Sequence, residues 1–168
     1  PAKRRTAMFS MTLICMGKLK EKFYISAAEE YRKRLGAFCK LEIVELNESR
    51  LSDNPSEKEI AAALEYEAKA MKGYTDIKGA YNIAMCIEGK QLSSEKLSKK
   101  LSECGLNGFS TVNFIIGSSF GIAPEIKAKA DLRLSMSEMT FPHQLARIML
   151  LEQVYRAFQI SANTRYHK

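Results

Sequence analysis

Apolar runs rich in strand-forming residues alternate along the chain with segments whose apolar residues recur at helical spacing. The runs predict strands at 9–16, 41–46, 81–87, 111–116 and 132–136. The segments between them predict helices at 18–35, from the capping box Ser56–Glu59 to about residue 72, from Ser93 or Ser94 to about residue 104, at 124–130, and from 143 to about 160. This alternation is typical of an α/β fold with a mostly parallel sheet and helices on both faces.

The first and last predicted helices carry specific expectations. Gly36 is the predicted stop of the first helix, and Pro142 suits the first helical position of the last one. The predicted buried face of the first helix is formed by Phe23, Ala27, Ala28, Tyr31 and Leu35.

Three loops follow predicted strands, at 87–90, 117–121 and 137–141. In open α/β sheets, ligands bind outside the carboxyl ends of the strands, so these loops are the candidate site. Gly117 and Gly121 bracket the second loop, where glycine permits a positive φ and lets a ligand approach the backbone. The same two glycines could equally make a tight turn and nothing more.

A phosphate is disfavoured as the ligand of these loops. The glycine turn lacks the lysine or third glycine of the common phosphate motifs, and Pro124 removes an N–H donor from the following helix. The third loop carries methionines, serines and Phe141, which suit a flat heteroaromatic ring such as adenine. Met136 and Met139 are equally compatible with a role as core fillers.

Composition narrows the class of protein. At 168 residues with 46% apolar residues, the chain fits one globular domain, which we assign to 9–168, with 1–8 as a leader or cloning remnant. It has no apolar run of the roughly 20 residues that span a bilayer and no secretory signal, so we expect no membrane partner. The spacing of its four cysteines and two histidines predicts no metal site. Cys15 and Cys86 lie in apolar runs, which predicts buried thiols and a cytoplasmic location.

Positive charge is concentrated near the N-terminus. The net charge is +7, and residues 1–40 hold ten Lys or Arg against three Glu, while the remainder holds sixteen of each sign. A basic end of this kind favours a polyanion such as RNA. A soluble charged helix with a basic tag would have the same composition.

Several motifs together resemble a known family. They are GKLKE at 17–21, IIG at 115–117 with Phe120-Gly121, MTFPHQ at 139–144, LEQVYRA at 151–157 and the ending YHK. They are similar to those of the bacterial large-subunit pseudouridine N3-methyltransferases, compact members of the SPOUT class, from about Met11 to the C-terminus. The resemblance implies a C-terminal trefoil knot, an S-adenosylmethionine cofactor, and methylation of N3 of a pseudouridine in 23S rRNA on assembled ribosomes.

The resemblance also implies site residues. Cofactor contacts are expected from Met85, Gly117, Met136, Ser137, Glu138, Met139, Thr140 and Phe141. A side chain at Gly117 is expected to fill the ligand's space and leave the fold intact. The family usually has a second glycine where Ser118 stands and often a lysine where Glu138 stands. Glu138 either favours the cationic sulfonium or points to solvent.

Methylation of N3 in a uracil-type ring requires removal of a proton. The candidate catalytic residues are His143 and His167 as proton acceptors and Arg156 as a stabiliser of charge on the ring carbonyls. His143 could instead orient the start of its helix, and Arg156 could pair only with Glu152. The expected RNA contacts are Lys18, Lys20, Lys22, Arg165, Tyr166 and His167.

A homodimer is expected because the last helix is apolar over a broader arc than one sheet face needs, and SPOUT relatives pair through such helices. Two other classes stay open on the residues alone. One is a non-enzymatic, ribosome-associated RNA-binding protein of the same fold. The other is a nucleotide-binding α/β protein that uses the glycine turn for phosphate.

Overall fold

The structure, a computed structural model, describes residues 9–163, in which strands and helices alternate. The predicted leader at 1–8 and the predicted contacts Arg165, Tyr166 and His167 lie outside the described residues. The strands are β1 Phe9–Met16, β2 Cys39–Leu46, β3 Ala80–Gln91, β4 Thr111–Ile116 and β5 Leu132–Ser135. The helices are α1 Lys22–Leu35, α2 Glu57–Thr75, α3 Ser94–Leu106, α4 Pro124–Lys129 and α5 His143–Ser161.

The five strands form one sheet in the order β2-β1-β4-β3-β5, and every neighbouring pair is parallel. Cys15 on β1 pairs with Ile116 on β4, so these two strands end side by side. The loops after β1 and β4 therefore begin as neighbours at one edge of the sheet. The parallel sheet is confirmed, and the C-terminal knot that the resemblance implies stays a prediction.

Both faces of the sheet carry a core because apolar side chains alternate along buried strands. On one face, Leu13 and Phe114 belong to the cluster that α1, α3 and α5 complete. On the other, Ile14 and Ile115 belong to the cluster that α2 and α4 complete. Helices on both faces are thus confirmed, and none of the helices in the described residues is long and apolar enough to cross a bilayer.

Helix α1 begins at Lys22 rather than at residue 18. Backbone groups of residues 17 and 19 bond to Arg147 and Glu45 in place of helical partners, which keeps this segment extended. The predicted buried face is correct for Ala28 and Leu35 but wrong for Phe23, whose surface is 63% exposed. Phe23 lies in the first turn of α1, whereas the residues of α1 that pack on the core lie in its later turns.

Local capping follows the sequence closely. Ser56 and Ser93 each accept a hydrogen bond from the backbone N–H three residues later, at 3.2 Å, as Ncap residues do. Gly36 follows the last residue of α1. Pro142 is the N-cap of α5 rather than its first helical residue, because its ψ of 140° is extended.

An irregularity in β3 replaces the predicted loop at 87–90. The strand continues to Gln91, and both Met85 and Lys90 pair with Leu134 of β5, so the residues between them bulge from the ladder. The bulge leaves Cys86 only partly buried, so the prediction of a buried thiol there is wrong. Cys15 is buried as predicted, and burial raises the pKa of its thiol to about 12.

Candidate active site

A cleft of about 700 Å³ opens at the carboxyl ends of β3, β4 and β5. Its walls come from the β3 bulge, the glycine turn after β4, the loop after β5 and the first turn of α5. Parallel strands bring these segments together because all their carboxyl ends share one edge of the sheet. Each of the three predicted segments contributes to this one cleft.

The predicted cofactor residues converge on the cleft with one exception. Its lining includes Met85, Gly117, Met136, Ser137, Met139, Thr140 and Phe141. Glu138 is exposed and is not part of the lining, which favours the reading that it points to solvent. Met139 is 73% exposed, so it is not the core filler that the sequence also allowed.

The glycine turn is shaped first by its own backbone. Gly121 has a φ of +88° and donates its N–H to the carbonyl of Ser118 at 2.9 Å. A Cβ on Gly117 would overlap the backbone carbonyl of Gly121 and lie 2.8 Å from Cγ1 of Ile122. The turn therefore excludes a side chain at Gly117 before any ligand is considered, which contradicts the expectation that a substituent there would leave the fold intact.

The loop after β5 is held by serine hydroxyls. Ser135 donates to the carbonyl of Ser137 at 3.0 Å, and the Ser137 hydroxyl accepts from the N–H of Met139 at 2.9 Å. These local side-chain bonds take the place of the strand-to-strand hydrogen bonds, which end with β5, and they fix the path of the loop along the cleft. The two serines thus have a structural role beside any contact with a ligand.

His143, the first residue of α5, lines the cleft. Its Nε2 lies 3.9 Å from Oε1 of Glu48, an exposed carboxylate on the loop after β2. Arg156 is not brought to the cleft: it lies on the same helix about 20 Å farther along the axis. Its guanidinium donates to Oε1 of Glu152 at 2.7 and 3.1 Å, the pairing that the sequence allowed as its alternative role.

Exposed lysines stand beside this site. Lys18, Lys20 and Lys22 are all exposed on the segment that follows β1 and on the first residue of α1. A Cβ on Gly17 would lie 3.5 Å from the Glu48 carboxyl carbon, so the segment begins next to the pair formed by Glu48 and His143. The structure thus places the predicted basic contacts at the same edge of the sheet as the cleft.

Comparison with known proteins identifies the family. A family model described as "Predicted SPOUT methyltransferase" matches residues 9–167. The chain belongs to the SPOUT methyltransferase family. It is 49% identical over 160 residues to ribosomal RNA large subunit methyltransferase H 1 of Clostridium perfringens, covering 95% of this chain and 99% of that one. It is 48% identical over 162 residues to ribosomal RNA large subunit methyltransferase H of Bifidobacterium adolescentis, covering 94% and 99%.

Solved structures agree on the fold of this SPOUT methyltransferase. A probable methylase family protein from Haemophilus influenzae superposes with a TM-score of 0.55 at 13% identity, over 94% of this chain and 70% of that one. The tRNA (m1G37) methyltransferase of Aquifex aeolicus gives a TM-score of 0.50 at 14% identity, over 89% and 69%. At such identities the likeness shows the fold alone.

Sequence reasoning missed the charged pair in the SPOUT cleft. Lys127 Nζ lies 2.6 Å from Oε1 of Glu88, which joins α4 to the β3 bulge across the cleft wall. This hydrogen bond from Lys127 lowers the pKa of the Glu88 carboxyl. No pattern in the sequence links the two residues, because the bulge that turns Glu88 toward α4 is not encoded by periodicity. Within the described part of the chain, no group of three or more His, Cys, Asp or Glu could hold a metal ion.

A buried carboxylate under the glycine turn was also missed. Glu67 on α2 is 2% exposed and accepts from the Ser118 hydroxyl at 3.1 Å and from the Ser49 N–H at 3.3 Å. Burial is the main cause that raises the pKa of Glu67. Ser118, which stands where the family usually has glycine, therefore ties the cleft turn to the helix beneath it.

Glu67→Gln should be at least as stable as the parent at pH 7, with a gain in Tm of a few degrees at most. Because the folded-state pKa of Glu67 is raised, the charged carboxylate costs stability as pH rises through and above the ordinary range of glutamate. Glutamine removes that cost and keeps an oxygen for the Ser49 N–H. Urea unfolding from pH 4 to 7 should show the advantage of the variant growing with pH. The exposed variant Glu65→Gln is the control for the change in charge, and a difference for Glu67→Gln that stayed constant with pH would contradict this account.

Proposed function

We propose that this protein is an S-adenosylmethionine-dependent methyltransferase that methylates N3 of a pseudouridine in 23S rRNA on assembled ribosomes. The observation that carries the proposal is the near full-length likeness to relatives named ribosomal RNA large subunit methyltransferase H, in a chain whose three strand-ending segments form one cleft. Action on ribosomes implies a cytoplasmic location.

The cleft fits S-adenosylmethionine in size and chemistry. Its volume of about 700 Å³ falls within the range of small-molecule sites. Met85, Ile122 and Leu134 give it apolar walls for a flat ring, while the turn and the serine loop offer backbone groups. A Cβ on Gly121 would meet no atom of the described chain within 4 Å, so the backbone there is open to a ligand. Met85, Gly117 and residues 136–141 would hold the cofactor, with Glu138 contributing backbone only.

When bound, S-adenosylmethionine supplies an electrophilic methyl group, so the chain's own task is to orient the ring and manage a proton. We assign proton acceptance from N3–H to His143, which lies in the cleft wall. Glu48 at 3.9 Å would stabilise the imidazolium that forms. Arg156 has no part in this mechanism within one chain, because the helical rise separates it from His143.

Recognition of RNA would come from the lysines beside the cleft and from the C-terminal residues. Lys18, Lys20 and Lys22 would contact phosphates, which position a substrate without reading its sequence. Arg165, Tyr166 and His167, outside the described residues, would contact the target base. The α/β domain of the described residues would take its specificity from a large preformed surface, which is why we propose the assembled ribosome as substrate.

We also propose a homodimer. Leu145, Ile148 and Met149 of α5 are only partly buried within one chain, although the helix buries Leu151 and Val154 against the core. A second copy packed on α5 would cover this apolar surface. Sedimentation velocity at micromolar concentration measures the oligomeric state directly.

Deleting residues 165–168 should leave cofactor affinity within about twofold and lower methyl transfer to ribosomes by roughly 100-fold, because loss of positioning groups acts on the reacting geometry. Calorimetry with S-adenosylmethionine, with ATP as the control ligand, measures the first quantity. Transfer of labelled methyl to ribosomes and to a naked stem-loop measures the second.

The outcomes of this test separate the candidate functions. Binding of ATP in preference to S-adenosylmethionine would favour the phosphate-binding alternative. Binding to ribosomes without transfer by the full chain would favour the non-enzymatic alternative. Efficient methylation of the naked stem-loop, or full activity of the truncated protein, would contradict our account of the substrate.

A further inference from the structure

Arg147 is a buried cation to which the proposed chemistry gives no role. Its residue surface is 2% exposed, on α5 one helical turn after His143. One guanidinium nitrogen donates to Oε2 of Glu45 at 2.7 Å, and another donates to the carbonyl of Gly17 at 3.1 Å. The same Glu45 oxygen accepts the N–H of Leu19 at 3.1 Å. A side-chain pair from α5 and β2 thus holds two backbone groups of the segment after β1.

Stability alone does not account for an arginine at this position. Arg147 is the buried member of the pair, whereas the Glu45 side chain is 32% exposed. Burying a charged group costs solvation, and replacing it by a well-packed apolar residue is often neutral or stabilising. The Nε of Arg147 is buried and has no hydrogen-bond partner among the described residues, which adds a further cost. What the guanidinium does provide is a fixed arrangement of its two partners, because its planar group of N–H donors bonds a carboxylate and a carbonyl at the same time.

The segment whose backbone Arg147 and Glu45 bond is the one that carries the lysines proposed to contact RNA. Lys18 and Lys20 are exposed on either side of Leu19, whose side chain packs against the core. The segment precedes α1 and has no helical ladder to stiffen it. Helix α5, which carries Arg147, also contributes His143 and Ala146 to the lining of the cleft. Arg147 therefore joins the wall of the cleft to the backbone from which the lysines project.

We propose that Arg147 and Glu45 are positioning residues that hold Lys18 and Lys20 in register with the cleft, so that phosphates bound by the lysines place the target ring at His143. The inference rests on the proposed function. Its physical basis is preorganisation: without the tie, the segment must be ordered when RNA binds, and the lysines lose part of their contribution.

The test is a double-mutant cycle between Arg147→Met and the pair Lys18→Ala with Lys20→Ala. Methionine fills similar apolar volume and cannot bond either partner. We expect Arg147→Met to raise KM for ribosomes by about tenfold, with the Kd for S-adenosylmethionine within about twofold. Removing the lysines should raise KM markedly in the parent and by less than about twofold in the Arg147→Met background, because the two changes act through one element. Hydrogen exchange should show loss of protection at the Leu19 amide.

Arg147→Lys provides a second variant if methionine impairs folding. Lysine retains the charge next to Glu45 but cannot bond both partners, so the same cycle should give a smaller coupling of the same sign. If the lysine changes cost the same factor in all backgrounds, Arg147 is structural only and the inference is overturned, while the proposed function stands. If the parent transfers no methyl to ribosomes although the Leu19 amide is protected, the proposed function fails and the inference fails with it.

Discussion

Replacing Gly117 by alanine should lower the affinity for S-adenosylmethionine by roughly 100-fold or more, because even one methyl group displaces the turn that forms a wall of the cleft. The Cβ would overlap the carbonyl of Gly121 and lie 2.8 Å from Cγ1 of Ile122. The atoms that the Cβ would overlap belong to the backbone, which cannot rotate away as the end of a flexible side chain can. The turn itself must therefore move. Gly117 follows β4, the central strand of the sheet, so the displacement arises in the middle of the row of strand ends that carries the cleft.

The matched control is Gly73→Ala on α2, where a Cβ meets nothing within 4 Å among the described residues. Alanine in a helix interior is favoured over glycine by roughly 0.5–1 kcal/mol, so this control should bind normally and be slightly more stable. Calorimetry measures affinity, and the thermal transition measures how much folded protein is present. A folded Gly117→Ala variant with parental affinity would show that the turn is not part of the cofactor site.

The order of elements could be predicted because the central strands β1 and β4 are largely buried apolar runs and helices α2 and α3 begin at capping serines. The bounds of β1 and β4 agree with the predicted 9–16 and 111–116, and Ser56 and Ser93 cap α2 and α3. The start of α1 could not be predicted, because it depends on a bond between Gly17 and Arg147, which are 130 positions apart. Propensity describes neighbours along the chain, and a distant partner overrode it here.

The same distinction applies to the candidate site. Loops at the ends of parallel strands must share an edge, so the cleft could be located before its geometry was known. The carboxylates that support it could not be found in this way. Glu67 meets Ser118 across 51 positions, and Glu48 meets His143 from a loop that has no motif. Only packing brings these two groups against Ser118 and His143 of the cleft lining, as it brings Glu88 of the bulge against Lys127.

His143→Ala should lower methyl transfer to ribosomes by about 100-fold or more, with cofactor affinity nearly unchanged, because a positioned base contributes that factor to proton removal. The parent's rate should rise with pH, since only the neutral imidazole accepts the proton from N3–H. Oε1 of Glu48 lies 3.9 Å from Nε2 of this ring.

The pH profile separates a proton acceptor from a residue that only begins a helix. His143→Gln keeps a polar side chain at the start of α5 and cannot take up a proton, so it should lose both the rate and the pH-dependent rise. Glu48→Gln should retain the rise with a lower plateau, because the imidazolium loses its stabilising charge. Gln144→Ala, one position along the same helix, controls for changes to the helix start and should leave the profile intact. If His143→Gln retained the parental rate and rise, the proton would have to leave by another group, and His143 would be assigned to the cleft wall alone.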